Sequence, residues 1–300
     1  MRVPLFDLNI AHAKSWNDAL EKGRPTANLE YVKLINLTDG SWKPDFEELK
    51  KIDNSKDQFI VFTDKFFTHA KYFPPKIKKI AWTMEPRKYD PAAYEELEKE
   101  IESFDLILTW DKHLLKKHQD KCQFIPPDGV FVENYSVFIN KKPKSKLVSH
   151  VYSDKKILEG HRLRHEIASR IEGNKNVDFW GSGSSQPMEK KSESLNDYMF
   201  SIAIENNRDE NYFTDKILDC FATKTIPIYW GAPNIGKWFN LDGIITFENT
   251  DHLCSILENL SFDDYWSKQS AVIENYKKSL EYYDYDNFIF RAIREGIGNV

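Results

Sequence analysis

Short apolar runs alternate with helical patterns along the first half of the chain. Six of these runs are rich in β-branched and aromatic residues and stop at polar residues, which is typical of buried strands. They cover residues 3–8, 32–37, 59–63, 80–83, 106–110 and 123–125. Between them, residues 46–52 and 91–103 have the spacing of amphipathic helices. Strands that alternate with helices in this way predict a parallel sheet covered by helices.

A basic segment without apolar residues, 140–146, separates this half from a second alternating block. Its composition is typical of a linker, and we therefore expect two domains, 1–143 and 144–300. The last helical pattern, 287–295, is a candidate to return to the first domain. The strands predicted for the second block are 147–152, 177–180, 200–204, 226–230 and 244–247, and its predicted helices include 157–171, 251–260 and 263–282.

The polar residues of the second block concentrate behind the predicted strand 200–204. This strand stops at Glu205 and Asn206, and Thr214 then has the pattern of a helix N-cap. Ligands of open parallel sheets bind beyond the carboxyl ends of strands, where helix N-termini present unpaired N–H groups. Lys216 beside such a terminus suits a diphosphate, because its charge acts together with the oriented amides. The pattern predicts a site for a nucleotide-type anion, and an ordinary βαβ unit with a solvated loop is an equally good explanation of the spacing.

Three segments of this region carry the most specific signal in the chain. Residues 200–207 read FSIAIENN, residues 212–216 read YFTDK, and residues 225–231 read TIPIYWG. In this order they resemble the signature of the family 10 glycosyltransferases, the α-1,3/α-1,4-fucosyltransferases. That signature is F-x-[IL]-x-F-E-N-[ST], a short loop, Y-[VIF]-T-E-K, and then T-[IV]-P-[IV]-x-x-G.

The resemblance implies an α/β fold of the GT-B architecture, with two Rossmann-like βαβ domains facing across a cleft. It implies an inverting enzyme that moves L-fucose from GDP-fucose to a hydroxyl of a glycan acceptor, with the donor on the second domain. In this interpretation Asn206, Tyr212 and Lys216 hold the diphosphate and Asp215 contacts the ribose or the sugar. The chain departs from the signature at Asp215, where the family has Glu, and also at Ile204 and Asn207. The shorter Asp215 side chain leaves its contact with the donor open.

Glu85 is the candidate general base. A hydroxyl that attacks a sugar must lose its proton, and a carboxylate just beyond the end of a strand can accept it. The segment 83–86, Thr-Met-Glu-Pro, looks like a Thr-x-Glu-Asn segment of the family whose Glu is proposed as the base, although Pro86 replaces the common Asn. A surface Glu that ends a strand is the alternative interpretation. Glu205 is the reserve candidate, although its place in the signature suits donor binding or a structural hydrogen bond better.

Arg164 and Arg162 lie in the predicted helix 157–171, which follows the first strand of the second domain. An arginine at this place can bind a phosphate with two parallel hydrogen bonds. The family has a diphosphate-binding arginine on the equivalent helix, and Arg164 aligns with it better than Arg162. A solvated helix face is the alternative for both.

Composition restricts the partners and the location. The formal net charge is −5 with both signs interspersed, which does not favour nucleic acid as a partner. The three cysteines are scattered, which indicates a reducing compartment. The sequence contains neither an apolar run long enough to span a bilayer nor a signal-peptide pattern. The chain resembles the soluble members found in bacteria and viruses, so we expect a cytoplasmic protein, and attachment to a membrane surface stays open.

We expect GDP-fucose to be the donor substrate, and we expect the protein to require no cofactor and no metal ion. His161 and His165 could share a helix face but have no third ligand nearby in the sequence, and Asp284-Tyr285-Asp286 falls in a helical pattern. A non-essential stimulation by divalent ions stays open. Two alternatives also stay open: the same scaffold could use another GDP- or NDP-sugar, or it could be a nucleotide-sugar-binding or glycan-binding module without turnover.

Overall fold

The computed structural model describes residues 2–6, 33–36, 59–73, 75–133 and 143–298. Their contacts divide the chain into two compact units, one formed by Met1–Pro127 with Asp284–Val300 and the other by Asp128–Tyr283. The first boundary between the units, after Pro127, therefore lies earlier in the chain than the boundary at 143 that composition suggested. The predicted helix 46–52 lies outside the described residues.

The first unit contains a parallel sheet with the strand order β2-β1-β3-β4-β5-β6. The strands are β1 (Arg2–Phe6), β2 (Lys33–Asn36), β3 (Phe59–Thr63), β4 (Lys78–Trp82), β5 (Leu106–Thr109) and β6 (Cys122–Phe124). The helix Pro91–Lys99 starts with proline and is capped by Asp90, whose side chain accepts the Ala93 amide. Asp111 caps the helix Lys112–Lys117 in the same way.

In the middle of this sheet, β3, β4 and β5 are buried on both faces apart from the first residue of β4, which explains why these strands are mostly apolar. On one face Phe62 and Ile107 pack with Tyr94 of the helix Pro91–Lys99. On the other face Val61, Trp82 and Leu108 pack with the C-terminal helix Tyr285–Ile297, which belongs to this unit. The buried apolar residues that this helix contributes are Tyr285, Ile289, Ala292 and Ile293, and Phe288, Phe290 and Ile297 are partly buried against them.

The second unit contains a parallel sheet with the strand order β11-β10-β9-β7-β8. The strands are β7 (Lys146–Val151), β8 (Val177–Trp180), β9 (Tyr198–Ile204), β10 (Ile226–Trp230) and β11 (Ile245–Thr246). In this order β7 lies between β8 and β9. The chain passes from β7 to β8 on one side and then from β8 to β9 on the other side, so the strand order reverses at β7. Open sheets bind their ligands at this kind of switch point. The helices are Glu159–Arg170, Asp215–Ala222, Thr250–Asn259, Phe262–Ser267 and Gln269–Ser279.

One predicted helix was wrong in extent. The pattern over 263–282 suggested a single helix, whereas the structure has Phe262–Ser267 and Gln269–Ser279 with a break at Lys268. The Ser267 hydroxyl donates to the Asp264 carbonyl at 2.9 Å, which offers the main chain an alternative to continued helix.

Candidate functional site

A cavity of about 410 Å³ lies in the second unit, along β9 and beside the carboxyl ends of β7 and β8. This volume is within the range of small-molecule sites, and the place is the switch point of the sheet. The charged side chains that line the cavity are Arg164, Lys191, Asp215, Lys216 and Asp219. Three of them, Arg164, Asp215 and Lys216, are site residues that the sequence predicted.

Arg164 is buried on the helix Glu159–Arg170 and points to the end of β9. Its guanidinium donates from Nε to the Ile204 carbonyl at 3.1 Å and from Nη2 to the same carbonyl and to Asn206 Oδ1, the last at 3.0 Å. Within the described part of the chain, Nη1 has no hydrogen-bond partner. Burial lowers the pKa of Arg164, and the nearby Glu205 carboxylate opposes this shift. The guanidinium is thus held in one orientation with donors left for an anion.

The helix that carries Arg164 approaches the end of β9 very closely at Gly160. A Cβ atom at this glycine would lie 1.8 Å from the Glu205 carbonyl oxygen. The Gly160 amide donates to the Asn206 carbonyl at 3.1 Å, so the helix is hydrogen-bonded directly to the loop behind the strand. The absence of a side chain at this position is therefore what allows Arg164 to reach Asn206.

Glu205 is completely buried beneath the start of the helix Asp215–Ala222. Its carboxylate accepts the Thr214 amide at 2.9 Å and the Thr214 hydroxyl at 2.7 Å. Thr214 is the N-cap of this helix and accepts the Lys216 amide at 3.3 Å. Burial raises the pKa of Glu205, and the Lys216 ammonium, 3.8 Å away, opposes this shift. Glu205 does not line the cavity, and its contacts fix the amino end of the helix that does.

Lys216 and Asp215 occupy the first turn of that helix and face the cavity. Lys216 Nζ donates to Thr214 Oγ1 at 3.0 Å and lies 3.4 Å from Asp215 Oδ1. Burial raises the pKa of Asp215, but the adjacent Lys191 and Lys216 ammonium groups outweigh it and hold the pKa well below its usual value. A lysine, an ionised carboxylate and a helix N-terminus therefore meet at one wall of the cavity.

Two charged residues of the wall, Lys191 and Asp219, were missed by sequence reasoning. Lys191 Nζ contacts the Asp215 carboxylate and lies 2.9 Å from Asp219 Oδ2. Burial lowers the pKa of Lys191, but the Asp215 and Asp219 charges prevail and raise it. The sequence offered a weak signal for Asp219, which is one helical turn after Asp215. It offered no periodic signal for Lys191.

Three other predicted donor residues do not line the cavity. Asn206 is half-buried and acts on the site through its bond with Arg164. Tyr212 is buried, with 2% of its surface exposed. Arg162 is exposed and donates to the Ile157 carbonyl at 2.8 Å, so of the two arginines it is Arg164 that faces the cavity.

The turn after β8 closes another side of the cavity. Gly181 has a φ of +98° and, with Ser182, lines the cavity next to Tyr152. A Cβ atom at Gly183 would lie 2.4 Å from the Tyr152 ring, and the Gly183 amide donates to the Tyr152 carbonyl at 3.1 Å. The glycines thus let the turn pack directly against the end of β7.

Glu85, in the first unit, lies three residues beyond the end of β4 and is half-buried. The main chain around it is held by side chains on several neighbouring elements. The Glu85 carbonyl accepts the Tyr94 hydroxyl at 2.7 Å, and the Met84 amide donates to Asp64 at 3.2 Å. The Thr83 hydroxyl is 2.7 Å from the Thr109 hydroxyl. The loop that carries the candidate base is therefore closely fixed.

Most of the second unit resembles a known protein family. Residues 141–278 match the family model described as glycosyltransferase family 10 (fucosyltransferase), C-terminal part. This span includes every residue that lines the cavity. Residues 141–278 are therefore similar to the family 10 glycosyltransferases.

A bacterial protein is similar to a short part of the chain. The chain is 36% identical to the alpha-(1,3)-fucosyltransferase FucT of Helicobacter pylori over 76 residues. These residues are 24% of this chain and 16% of that relative. The chain thus matches less than a fifth of the length of this relative.

Solved structures share the fold over almost the whole chain. A crystal structure of an alpha1,3-fucosyltransferase with GDP-fucose has a TM-score of 0.55 at 15% identity, covering 96% of this chain and 90% of that chain. An alpha-glucosyltransferase in complex with UDP and a 13-mer DNA has a TM-score of 0.59 at 11% identity, covering 99% of both chains. At such identities the likeness shows the fold, which is the α/β GT-B architecture.

The described residues contain no group of three or more His, Cys, Asp and Glu side chains arranged to hold a metal ion. Over the same parts of the chain, no helix combines the length and the apolarity needed to cross a membrane.

Proposed function

We propose that this chain is an inverting fucosyltransferase that moves L-fucose from GDP-fucose to a hydroxyl of a glycan acceptor. The observation that carries this proposal is the convergence of Arg164, Lys216 and the N-terminus of the helix Asp215–Ala222 on one cavity of the second unit. A departing diphosphate needs positive charge and N–H donors at fixed positions. The cavity offers both without a metal ion, so we propose that catalysis requires no divalent cation.

The donor site divides into direct and indirect roles. Arg164 and Lys216 bind the diphosphate, and Asp215 accepts hydrogen bonds from the ribose or the sugar. Asn206 orients Arg164 through their 3.0 Å bond. Glu205 acts from below the helix, because its bonds with Thr214 fix the position of the helix N-terminus. Tyr212 is buried and supports the loop between β9 and this helix. Arg162 is exposed and contributes little to donor binding.

The reaction is a single displacement in which Glu85 takes the proton of the acceptor hydroxyl. A half-buried carboxylate on a closely fixed loop suits this role, because general bases act best when they are held in place. We propose that residues 1–143 carry the acceptor site and residues 144–300 the donor site. The alpha1,3-fucosyltransferase structure with GDP-fucose and the Helicobacter pylori relative support the choice of fucose and of a glycan acceptor.

Another nucleotide sugar is the second candidate donor. Two observations favour it as the alternative: Asp215 is shorter than the Glu of the signature, and a structure in complex with UDP resembles the chain with a TM-score of 0.59. A donor panel separates the two possibilities.

The test is a calorimetric titration of the full chain with GDP-fucose, GDP-mannose, GDP and UDP. We expect selective binding of the guanine nucleotides and a fall in GDP affinity of about tenfold or more in Lys216→Ala. Lys175→Ala is the matched control, since Lys175 is an exposed lysine of the same unit away from the cavity. Preferential binding of UDP would transfer the proposal to a uridine donor. A folded protein that binds none of the four nucleotides would refute the transferase function.

A further inference from the structure

Lys191 joins two carboxylates that face the same cavity. Its Nζ contacts Asp215 and lies 2.9 Å from Asp219, and these two aspartates are one turn apart on the helix Asp215–Ala222. All three side chains line the cavity of the second unit. About a third of the Lys191 side chain is exposed, whereas Asp215 and Asp219 are mostly covered.

The position of Lys191 is fixed by a closed ring of polar contacts within the second unit. The Glu133 carboxylate accepts the Lys191 amide at 3.1 Å and the Ser192 amide at 3.3 Å. Asp219 Oδ1 in turn accepts the main-chain amides of residues 131–132 at 2.6 and 2.9 Å. Each segment thus holds the next, and the ring aims the ammonium of Lys191 at the helix.

The ammonium of Lys191 offsets the negative charge that Asp215 and Asp219 bring to the cavity wall. Two ionised carboxylates in the wall would repel a diphosphate and offset the charges of Arg164 and Lys216. Asp215 and Asp219 are both covered by protein, where the interaction between charges is less screened than in water. A third cation placed between the two carboxylates removes this repulsion.

We propose that Lys191 is a positioning residue of the donor site, which neutralises Asp215 and Asp219 and so lets the cavity accept a nucleoside diphosphate. This inference rests on the proposed function. Lys191 acts through the two aspartates: it keeps the wall net positive and holds the Asp215 carboxylate in place for the donor. It lies outside the three signature segments and adds a residue to the site that they define.

An ion pair that only fastens the segment to the helix would have a different signature. Loss of either partner would then loosen the wall and weaken ligand binding in the same direction. In the electrostatic role the two partners act in opposite directions, because Lys191 brings positive charge to the cavity and Asp219 brings negative charge.

The experiment measures the GDP affinity of Lys191→Met, Asp219→Asn and Lys190→Met by calorimetry in the full chain. Asparagine at 219 keeps the oxygen that accepts the amides of residues 131–132, whereas its NH2 group cannot accept the Lys191 ammonium, so the variant breaks the ion pair and keeps the other contacts of the ring. Lys190 is the exposed neighbour and serves as the matched control. We expect Lys191→Met to weaken GDP binding by about tenfold, as removal of one unit charge near an anion does inside protein. We expect Asp219→Asn to bind GDP as tightly as the wild type or more tightly, and Lys190→Met to stay within about twofold of the wild type.

Two results would overturn the inference. Unchanged GDP affinity in a folded Lys191→Met protein excludes an electrostatic role, and similar losses in Lys191→Met and Asp219→Asn identify a purely structural ion pair. If Lys191→Met does not fold, Asp219→Asn decides alone, with weaker GDP binding counting against the inference and equal or tighter binding for it. A wild-type protein that binds no nucleotide refutes the proposed function itself, and the inference with it.

Discussion

The Tyr94 hydroxyl donates a hydrogen bond of 2.7 Å to the main-chain carbonyl of Glu85. The same ring lies under the Arg87 guanidinium, at 4.3 Å from its centre. Arg87 is itself held by both carboxylate oxygens of Asp111, at 3.3 and 3.2 Å, and by Glu98 at 3.0 Å. The main chain of the candidate base is therefore tied through Tyr94 to a network of charged side chains.

Replacing Tyr94 by Phe removes this hydrogen bond and keeps the packing of the ring. We expect kcat to fall by about three- to tenfold, because the carboxylate of Glu85 is less well placed for proton transfer. KM for the nucleotide sugar should change little, since Tyr94 is in the first unit and the donor cavity is in the second. The stability loss should be about 1 kcal/mol. Steady-state kinetics and denaturant unfolding measure the two effects.

Tyr89→Phe is the control for this variant, because Tyr89 is 46% exposed in the same region. It should leave both kcat and stability unchanged. An unchanged kcat in Tyr94→Phe, with the expected stability loss, would mean that the bond stabilises the loop without serving the reaction.

Arg164 and Arg162 provide a matched pair for the donor site. Arg164→Lys loses the bond to Asn206 and the planar group that can bind a phosphate twice. We expect its GDP affinity to fall by about 10- to 100-fold. Arg162→Lys should stay within about twofold, because Arg162 is exposed and does not line the cavity. Equal losses of GDP affinity in the two variants would place the phosphate contact elsewhere on this helix.

The close approach of the helix Glu159–Arg170 to the end of β9 requires a glycine at position 160. In Gly160→Ala the new methyl group would collide with the Glu205 carbonyl, at a cost of about 1–3 kcal/mol, and would push Arg164 away from the cavity. Stability and GDP affinity should therefore fall together. Gly173→Ala is the comparison, since Gly173 has a φ of +82° and nothing within 4 Å of the added atom. It should lose about 1 kcal/mol of stability through backbone strain and keep its GDP affinity. Normal GDP binding by Gly160→Ala would show that Arg164 does not depend on this close approach.

Glu205 gives the stability a defined pH dependence. Burial raises its pKa above the ordinary value of 4.5, so the folded protein binds a proton that the unfolded chain releases. The contribution of this group to the free energy of unfolding should decline as the pH rises from about 4.5 through the raised pKa. Glu205→Gln removes that contribution. The difference in unfolding free energy between wild type and variant should shift with pH in this direction, and a constant difference would contradict the raised pKa.

The sequence predicted the strands well because most of them are short apolar runs, and β3 and β10 are buried along their whole length. Residues 59–63, 177–180 and 226–230 coincide with β3, β8 and β10. The split at Lys268 escaped prediction because apolar spacing continues on both sides of it, and the competing bond at Ser267 is visible only in the structure.

The candidate site was predicted in part, for a physical reason. The signature identifies which polar residues follow β9, but it does not tell which of them face the cavity and which lie under the helix. Glu205 and Lys216 are both polar and close in sequence, yet one is completely buried and the other lines the cavity. Lys191 was missed because its partners are 24 and 28 residues away along the chain and only the tertiary fold brings them together.

Transfer of fucose is the most direct test of the central claim. Purified protein is incubated with GDP-fucose and a panel of oligosaccharide acceptors, and the product is examined by mass spectrometry and by NMR of the new linkage. The account predicts a fucosylated product of inverted anomeric configuration, formed by the wild type without added metal ion and lost in Glu85→Gln while GDP binding is kept. A product of retained configuration, or full activity in Glu85→Gln, would contradict it.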